Sequence, residues 1–211
     1  MAVETVVVDH PLVLDALARI RDVDTPNALF RQNLERIGML LIAEATHTLP
    51  TVDGTVTTPL TEAPATRLAT QPVIVPILRA GLGFLAPAQQ LMPNADIGFI
   101  GIARNEETHQ PEPYVNKLPD DIAERPVIVV DPMLATGGSL VHTLELLVAR
   151  GAAQPLTVIC ALCAPEGIET VGNCGIDVTL FTAAVDDRLN DQAFIVPGLG
   201  DAGDRQFGAP A

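Results

Sequence analysis

Basic residues are scarce: 12 lysines and arginines stand against 26 aspartates and glutamates, for a net charge of −14. An acidic surface repels phosphate backbones, which argues against nucleic acid as a primary partner. It also means that any anionic ligand needs local positive charge, so each arginine in a loop carries weight. Long apolar runs are missing as well. No stretch approaches the roughly 20 apolar residues of a membrane span, so no membrane partner is expected. Met1-Ala2-Val3-Glu4 places no basic segment ahead of an apolar run. No secretory signal is therefore expected, and the chain reads as cytoplasmic. The three cysteines do not form a disulfide framework. Cys160 falls within Leu156–Leu162, which reads as a strand, and Cys163 directly follows it; residues three apart on a strand point to opposite faces. Buried free thiols are expected there. The four histidines, His10, His47, His109 and His142, form no cluster, and no metal ligand set is expected from the protein.

What is present is a chain of 211 residues, 48% apolar, enough for one domain with an appended arm that buries roughly 70% of its unfolded surface. Glu4–Val8 reads as a short strand. Helical spacing at Leu12, Leu14, Leu17 and Ile20 follows. Thr25-Pro26 reads as an N-cap with proline at the first helical position, opening a long amphipathic helix over Asn27–Thr48. That helix places Leu29, Phe30, Leu34, Ile37, Leu41 and Ala45 on one face. Asp53-Gly54 suggests a hairpin turn within Thr51–Leu60. From Pro72 apolar strands alternate with helices: Val73–Leu78, Phe84–Leu91, Ile97–Ala103, Val127–Val130, Gly138–Arg150, Leu156–Leu162, a helix from Pro165, and Val178–Ala183. The expected class is α/β, a mostly parallel central sheet with helices on both faces. Ligands of such folds sit beyond the carboxyl ends of the strands. Asn105–Pro119, polar and rich in proline and glutamate, reads as an extended arm anchored at both ends.

Pro126–Ser139 reads PVIVVDPMLATGGS. An apolar strand ends at Asp131, and small and hydroxyl residues then open into a helix. Ala135-Thr136-Gly137-Gly138-Ser139 offers unobstructed backbone N–H groups and two hydroxyls at the positive end of a helix dipole, a combination that binds phosphate. Asp131 is placed to accept hydrogen bonds from the sugar hydroxyls next to that phosphate. Together these residues suggest a ribose 5-phosphate site.

Arg79, followed by Ala80-Gly81-Leu82-Gly83, ends the strand Val73–Leu78, and Arg104 follows the strand Ile97–Ala103. In a chain this acidic, two arginines at neighbouring carboxyl edges suggest a clamp for a second anionic group. Taken alone, Arg79 reads more readily as a surface arginine on an ordinary strand–helix turn. The glycine-dense segment Pro197–Gly208 leaves backbone groups open around Ile195, Gly200 and Ala202, where a flat ring presenting acceptor, donor and acceptor could lie. A surface turn with Asp201 and Asp204 in water and Arg205 in a local ion pair fits the same spacing.

These segments together bring a family into view. The chain closely resembles the uracil phosphoribosyltransferases, through PILRAGLG (Pro76–Gly83), RNEET (Arg104–Thr108), DPMLATGGS (Asp131–Ser139), APEG (Ala164–Gly167) and PGLGDAGDR (Pro197–Arg205). The phosphate loop alone is common to all type I phosphoribosyltransferases; the segments in order are specific. The single acid before Pro132, where many phosphoribosyltransferases have two adjacent acids, is the uracil family's own form. The resemblance implies one domain over 1–211 of the type I phosphoribosyltransferase fold, with a flexible arm near 105–119 and a C-terminal base-binding hood near 193–208. It implies transfer of the phosphoribosyl group of 5-phosphoribosyl 1-diphosphate (PRPP) to uracil, giving UMP and diphosphate in pyrimidine salvage. Mg2+ is expected to be held mainly through PRPP. PRPP contacts are implied for Arg79, Arg104, Asp131, Pro132, Met133, Leu134, Ala135, Thr136, Gly137, Gly138, Ser139 and Asp201. Uracil contacts are implied for Ile195, Gly200, Asp201 and Ala202, and catalytic roles for Asp201, Arg79 and Arg104. A homo-oligomer of two or more subunits and a GTP effector are further expectations that the residues themselves do not read out. The rivals are a pyrimidine-responsive RNA-binding regulator on the same fold, which would need a basic face, and a phosphoribosyltransferase for another base.

Overall fold

The computed structural model describes the backbone of residues 3–104 and 111–208, and the side chains of 3–101 and 115–208. The chain begins with strand β1 (Glu4–Val7), helices α1 (Pro11–Arg21) and α2 (Asn27–Ala45), and a separate hairpin, β2 (Thr51–Thr57) with β3 (Glu62–Leu68). The alternating part follows: β4 (Val73–Leu78), α3 (Leu85–Leu91), β5 (Asp96–Ile97), β6 (Phe99–Arg104), β7 (Pro111–Lys117), β8 (Val127–Val130), β9 (Met133–Leu134), α4 (Gly138–Ala149), β10 (Leu156–Cys163), α5 (Pro165–Gly172) and β11 (Val178–Val185). A small hairpin of β12 (Arg188–Leu189) and β13 (Ile195–Val196), then α6 (Ala202–Phe207), complete it. The main sheet runs β1-β11-β10-β8-β4-β6-β7. Among the described strands of this sheet β7 alone pairs antiparallel.

The period of two along each strand divides the core. Ile74, Ile128 and Ile159 face Val13, Leu17 and Ile20 of α1 and Phe30, Leu34, Ile37 and Leu41 of α2. Val73, Val75, Val129 and Val158 face Leu140, Leu144 and Leu147 of α4 and Val171 of α5. Each such side chain contributes about 1.5–3 kcal/mol when fully buried. All four residues of β8 are buried, as a strand covered on both faces requires.

Several local readings change. Leu12, Leu14 and Leu29 are about half exposed, and the buried faces are instead Val13, Ala16, Leu17, Ile20 and Phe30, Asn33, Leu34, Ile37. Thr25 does not cap α2. Its hydroxyl donates to Arg19 O at 2.7 Å, and Pro26 precedes the first helical residue. The helix ends at Ala45 because the Thr46 hydroxyl turns back to Ile42 O. Asp53-Gly54 lies inside β2, with Gly54 opposite Ala65, and the turn is Thr58–Thr61, where Thr58 Oγ1 accepts from Leu60 N and Thr61 N. Cys160 and Cys163 do not point to opposite faces. Ala161 N and Leu162 N both donate to Pro132 O, a bulge that restarts the alternation. Both thiols therefore lie in the core under α4, and the hydrogen bond with Cys163, together with burial, pushes the Cys160 thiol well up. In the expected arm, Pro111–Lys117 pairs with β6 as an edge strand; residues 105–110, including His109, lie outside the described residues.

Candidate active site

Strand β8 delivers Asp131 to the carboxyl edge of the sheet, where Asp131 N donates to Ile159 O. Pro132 turns inward; it is buried, and its carbonyl is the acceptor that bulges β10. Met133 and Leu134 pair with the end of β10 and fix the loop to the sheet. Gly137 then takes φ +85 at the N-cap of α4, a left-handed conformation that disfavours a side chain. A β-carbon there would also meet Thr170 Cβ at 2.9 Å and Gly167 O at 3.0 Å. Packing of α5 against the loop accounts for the Ala164–Gly167 motif, whose structural purpose the sequence did not reveal.

The result is a cavity of about 100 Å3 lined by Asp131, Met133, Leu134, Ala135, Thr136, Gly137, Ser139 and Leu140. Free N–H groups of the first turn of α4 lie at its edge, with no acidic side chain in that turn. Burial pushes the Asp131 carboxyl up to about 7, opposed by the Met133 N–H. Gly138 and Pro132 do not line this cavity, although Gly138 opens the helix beside it.

A second cavity, of about 220 Å3, is lined by Met133, Ala135, Gln192, Ala193, Phe194, Ile195, Gly200 and Asp201. The two cavities share Met133 and Ala135. Ile195, Gly200 and Asp201 thus meet at one place. Ala202 does not line it: the residue is fully buried, and its carbonyl receives Gln206 Nε2 at 2.8 Å. The open loop expected over Pro197–Gly208 is partly a helix, α6, which Asp201 caps by accepting Asp204 N at 2.9 Å. Arg205 is no local ion pair. It donates to Ile20 O, Leu199 O and Asp22 O, and lies 4.6 Å from the centre of the Phe30 ring.

Arg79 follows β4 through a cis peptide bond from Leu78. Its side chain is 59% exposed, with Nη2 3.8 Å from Asp204 Oδ1, which places it beside the start of α6. Arg104 ends β6 opposite Pro111; its side chain lies outside the described residues. Among the described residues, no three His, Cys, Asp or Glu side chains gather where they could hold a metal ion. The residues that sequence reasoning missed are those supporting the hood: Gln192, Ala193 and Phe194 in the cavity wall, and Arg21, Asp186 and Gln206 behind it. Phe194, an apolar side chain next to a glycine-dense loop and 44% exposed, was the one available signal.

Comparison with known proteins bears on this geometry. A family model described as uracil phosphoribosyltransferase matches residues 7–209. A uracil phosphoribosyltransferase of Corynebacterium diphtheriae is 50% identical over 96% of this chain and 95% of its own length. One of Corynebacterium glutamicum is 48% identical over the same shares. The structure of the AQ2163 protein from Aquifex aeolicus superposes with a TM-score of 0.91 at 37% identity, covering 97% of this chain and 98% of that one. A hypoxanthine-guanine phosphoribosyltransferase from Bacillus anthracis shares the fold, with a TM-score of 0.50 at 16% identity over 76% of this chain and 80% of its own. The chain belongs to the uracil phosphoribosyltransferase family.

Proposed function

We propose that this protein transfers the phosphoribosyl group of PRPP to uracil, with the ribose 5-phosphate in the cavity at the start of α4 and the base in the cavity under Phe194. One observation carries the reading: the two cavities adjoin across Met133 and Ala135, as the phosphate and base ends of one nucleotide require. The acidic chain, at −14, favours this over the RNA-binding regulator.

Breaking the bond from ribose C1 to diphosphate builds positive charge on the sugar and negative charge on the leaving group. A bond from uracil N1 to C1 replaces it, and the N1 proton departs. The work of the chain is to position and to stabilise charge. Thr136, Gly137, Gly138 and Ser139 hold the 5-phosphate by N–H and hydroxyl groups, and Met133, Leu134 and Ala135 shape the passage beside it. Asp131 accepts from the ribose hydroxyls, and Pro132 fixes its direction. Arg79 and Arg104 meet the diphosphate. Ile195 and Gly200 read the base edge, Ala202 supports them from behind as the buried first residue of α6, and Asp201 stands between base and donor. Mg2+ bound to PRPP would supply further neutralisation of the leaving group. Family membership is what supports a cytoplasmic location, a homo-oligomer and a response to GTP; gel filtration with and without GTP tests the last two.

The test is UMP formation from uracil and PRPP, with cytosine and hypoxanthine as controls. Uracil alone is expected to turn over, because fixed groups built for one donor–acceptor edge reject another by about 10⁴-fold or more. Equal turnover of cytosine or hypoxanthine would overturn the assignment of the base.

A further inference from the structure

Strand β11 ends at Val185, and the next residue, Asp186, is 7% exposed. Its carboxylate meets the Arg21 guanidinium in a two-pronged pair, Nη1 to Oδ2 at 2.9 Å and Nη2 to Oδ1 at 2.5 Å. The same two side chains also take both backbone groups of Gly198. Gly198 N donates to Asp186 Oδ2 at 2.9 Å, and Arg21 Nη1 donates to Gly198 O at 2.9 Å. Gly198 has φ +64, and a β-carbon on it would lie 2.1 Å from Ile195 O. The chain is thus folded tightly back on itself between two residues of the base cavity, Ile195 and Gly200.

We propose that Arg21 and Asp186 are positioning residues for the base: as a clamp on Gly198 they set the distance of Gly200 and Asp201 from the phosphate loop. The inference rests on the proposed uracil transfer. Neither side chain lines either cavity, so the clamp acts through the backbone it holds. A buried ion pair contributes little net stability against an apolar replacement, since desolvation offsets most of the attraction. What a forked guanidinium supplies is direction, because its donors lie in one rigid plane. Here that plane joins the last turn of α1, the end of β11 and the hood.

The experiment compares the full chain with Asp186→Asn, Arg21→Met and Arg21→Lys, measuring KM for uracil and for PRPP, kcat, affinity for ribose 5-phosphate, and thermal stability. A base displaced by about 1 Å loses roughly 10- to 100-fold in rate. The expected result is a rise or loss of that size confined to uracil KM and kcat in Arg21→Met and Asp186→Asn. Ribose 5-phosphate affinity should stay within about twofold of the parent, because the phosphate loop stands on other elements. Arg21→Lys keeps the charge without the fork and is expected to fall between the parent and Arg21→Met; with Asp186→Asn it carries the comparison if Arg21→Met does not fold. Unchanged uracil parameters, or equal losses for uracil and ribose 5-phosphate, would overturn the clamp. A parent protein that makes no UMP would instead overturn the reaction, and the clamp's role with it.

Discussion

Arg79 Nη2 lies 3.8 Å from Asp204 Oδ1, and the two side chains are 59% and 37% exposed. An ion pair this open is worth about 0–1 kcal/mol, because water and salt screen it and both side chains lose freedom in forming it. It is therefore easily exchanged for a diphosphate. Asp204→Asn is expected to change folding stability by less than about 1 kcal/mol, as measured by urea denaturation. A larger loss would mean that Arg79 is fixed in place by Asp204 and is not free to turn to substrate.

Arg79→Ala tests the other half of that exchange. Removing one preorganised group that stabilises transition-state charge costs on the order of 10²–10³ in turnover. Steady-state kcat/KM for PRPP is the measurement. A value within a few-fold of the parent would remove Arg79 from the leaving-group side.

Gly137→Ala strains the phosphate cradle twice, through φ +85 and through the 2.9 Å approach of Thr170 Cβ. The expected cost is about 1–3 kcal/mol, read as a lower midpoint in thermal unfolding together with weaker ribose 5-phosphate binding by calorimetry. Parent-like affinity would show that the loop does not need its left-handed turn.

The Asp131 carboxyl titrates at about 7 in the folded chain instead of the ordinary 3.8, chiefly because it is buried. Between those values the folded state holds a proton that the unfolded state has released, so stability falls as pH rises through this window and the cost is complete above 7. Asp131→Asn removes the ionisation. Its stabilisation relative to the parent is therefore expected to be larger at pH 8 than at pH 5.5 in paired thermal melts. An equal difference at both pH values would contradict the burial of that charge.

Much of the layout was legible because local signals and the fold agree. Val127–Val130 is a buried strand, Asp131 ends it, and Gly137 begins a helix, all within one stretch of sequence whose period and turn chemistry point the same way. Errors arose where a distant group decides a local matter. Asp53-Gly54 carries a turn signal, yet pairing of β2 with β3 runs straight through it. Cys160 and Cys163 share a face only because Pro132 O takes two consecutive N–H groups, a bulge without a mark in β10 itself. Thr25 has the chemistry of a cap, but Arg19 O, six residues back, holds its hydroxyl.

The supports of the hood were illegible for the same reason. Arg21 and Asp186 are 165 positions apart, and Arg205 reaches back 185 residues to Ile20. Nothing in the spacing of single residues encodes such pairs. The C-terminal segment therefore read as an open loop throughout, whereas its second half is a short helix pinned to the end of α1.

The adjoining of the two cavities across Met133 and Ala135 is tested most directly by a crystal structure of the protein with UMP. The account places the phosphate against the N–H groups of Thr136–Ser139 and the uracil ring under Phe194, beside Gly200 and Asp201, with the ribose spanning the shared wall. A phosphate bound away from the start of α4, or a base lying outside the second cavity, would contradict it.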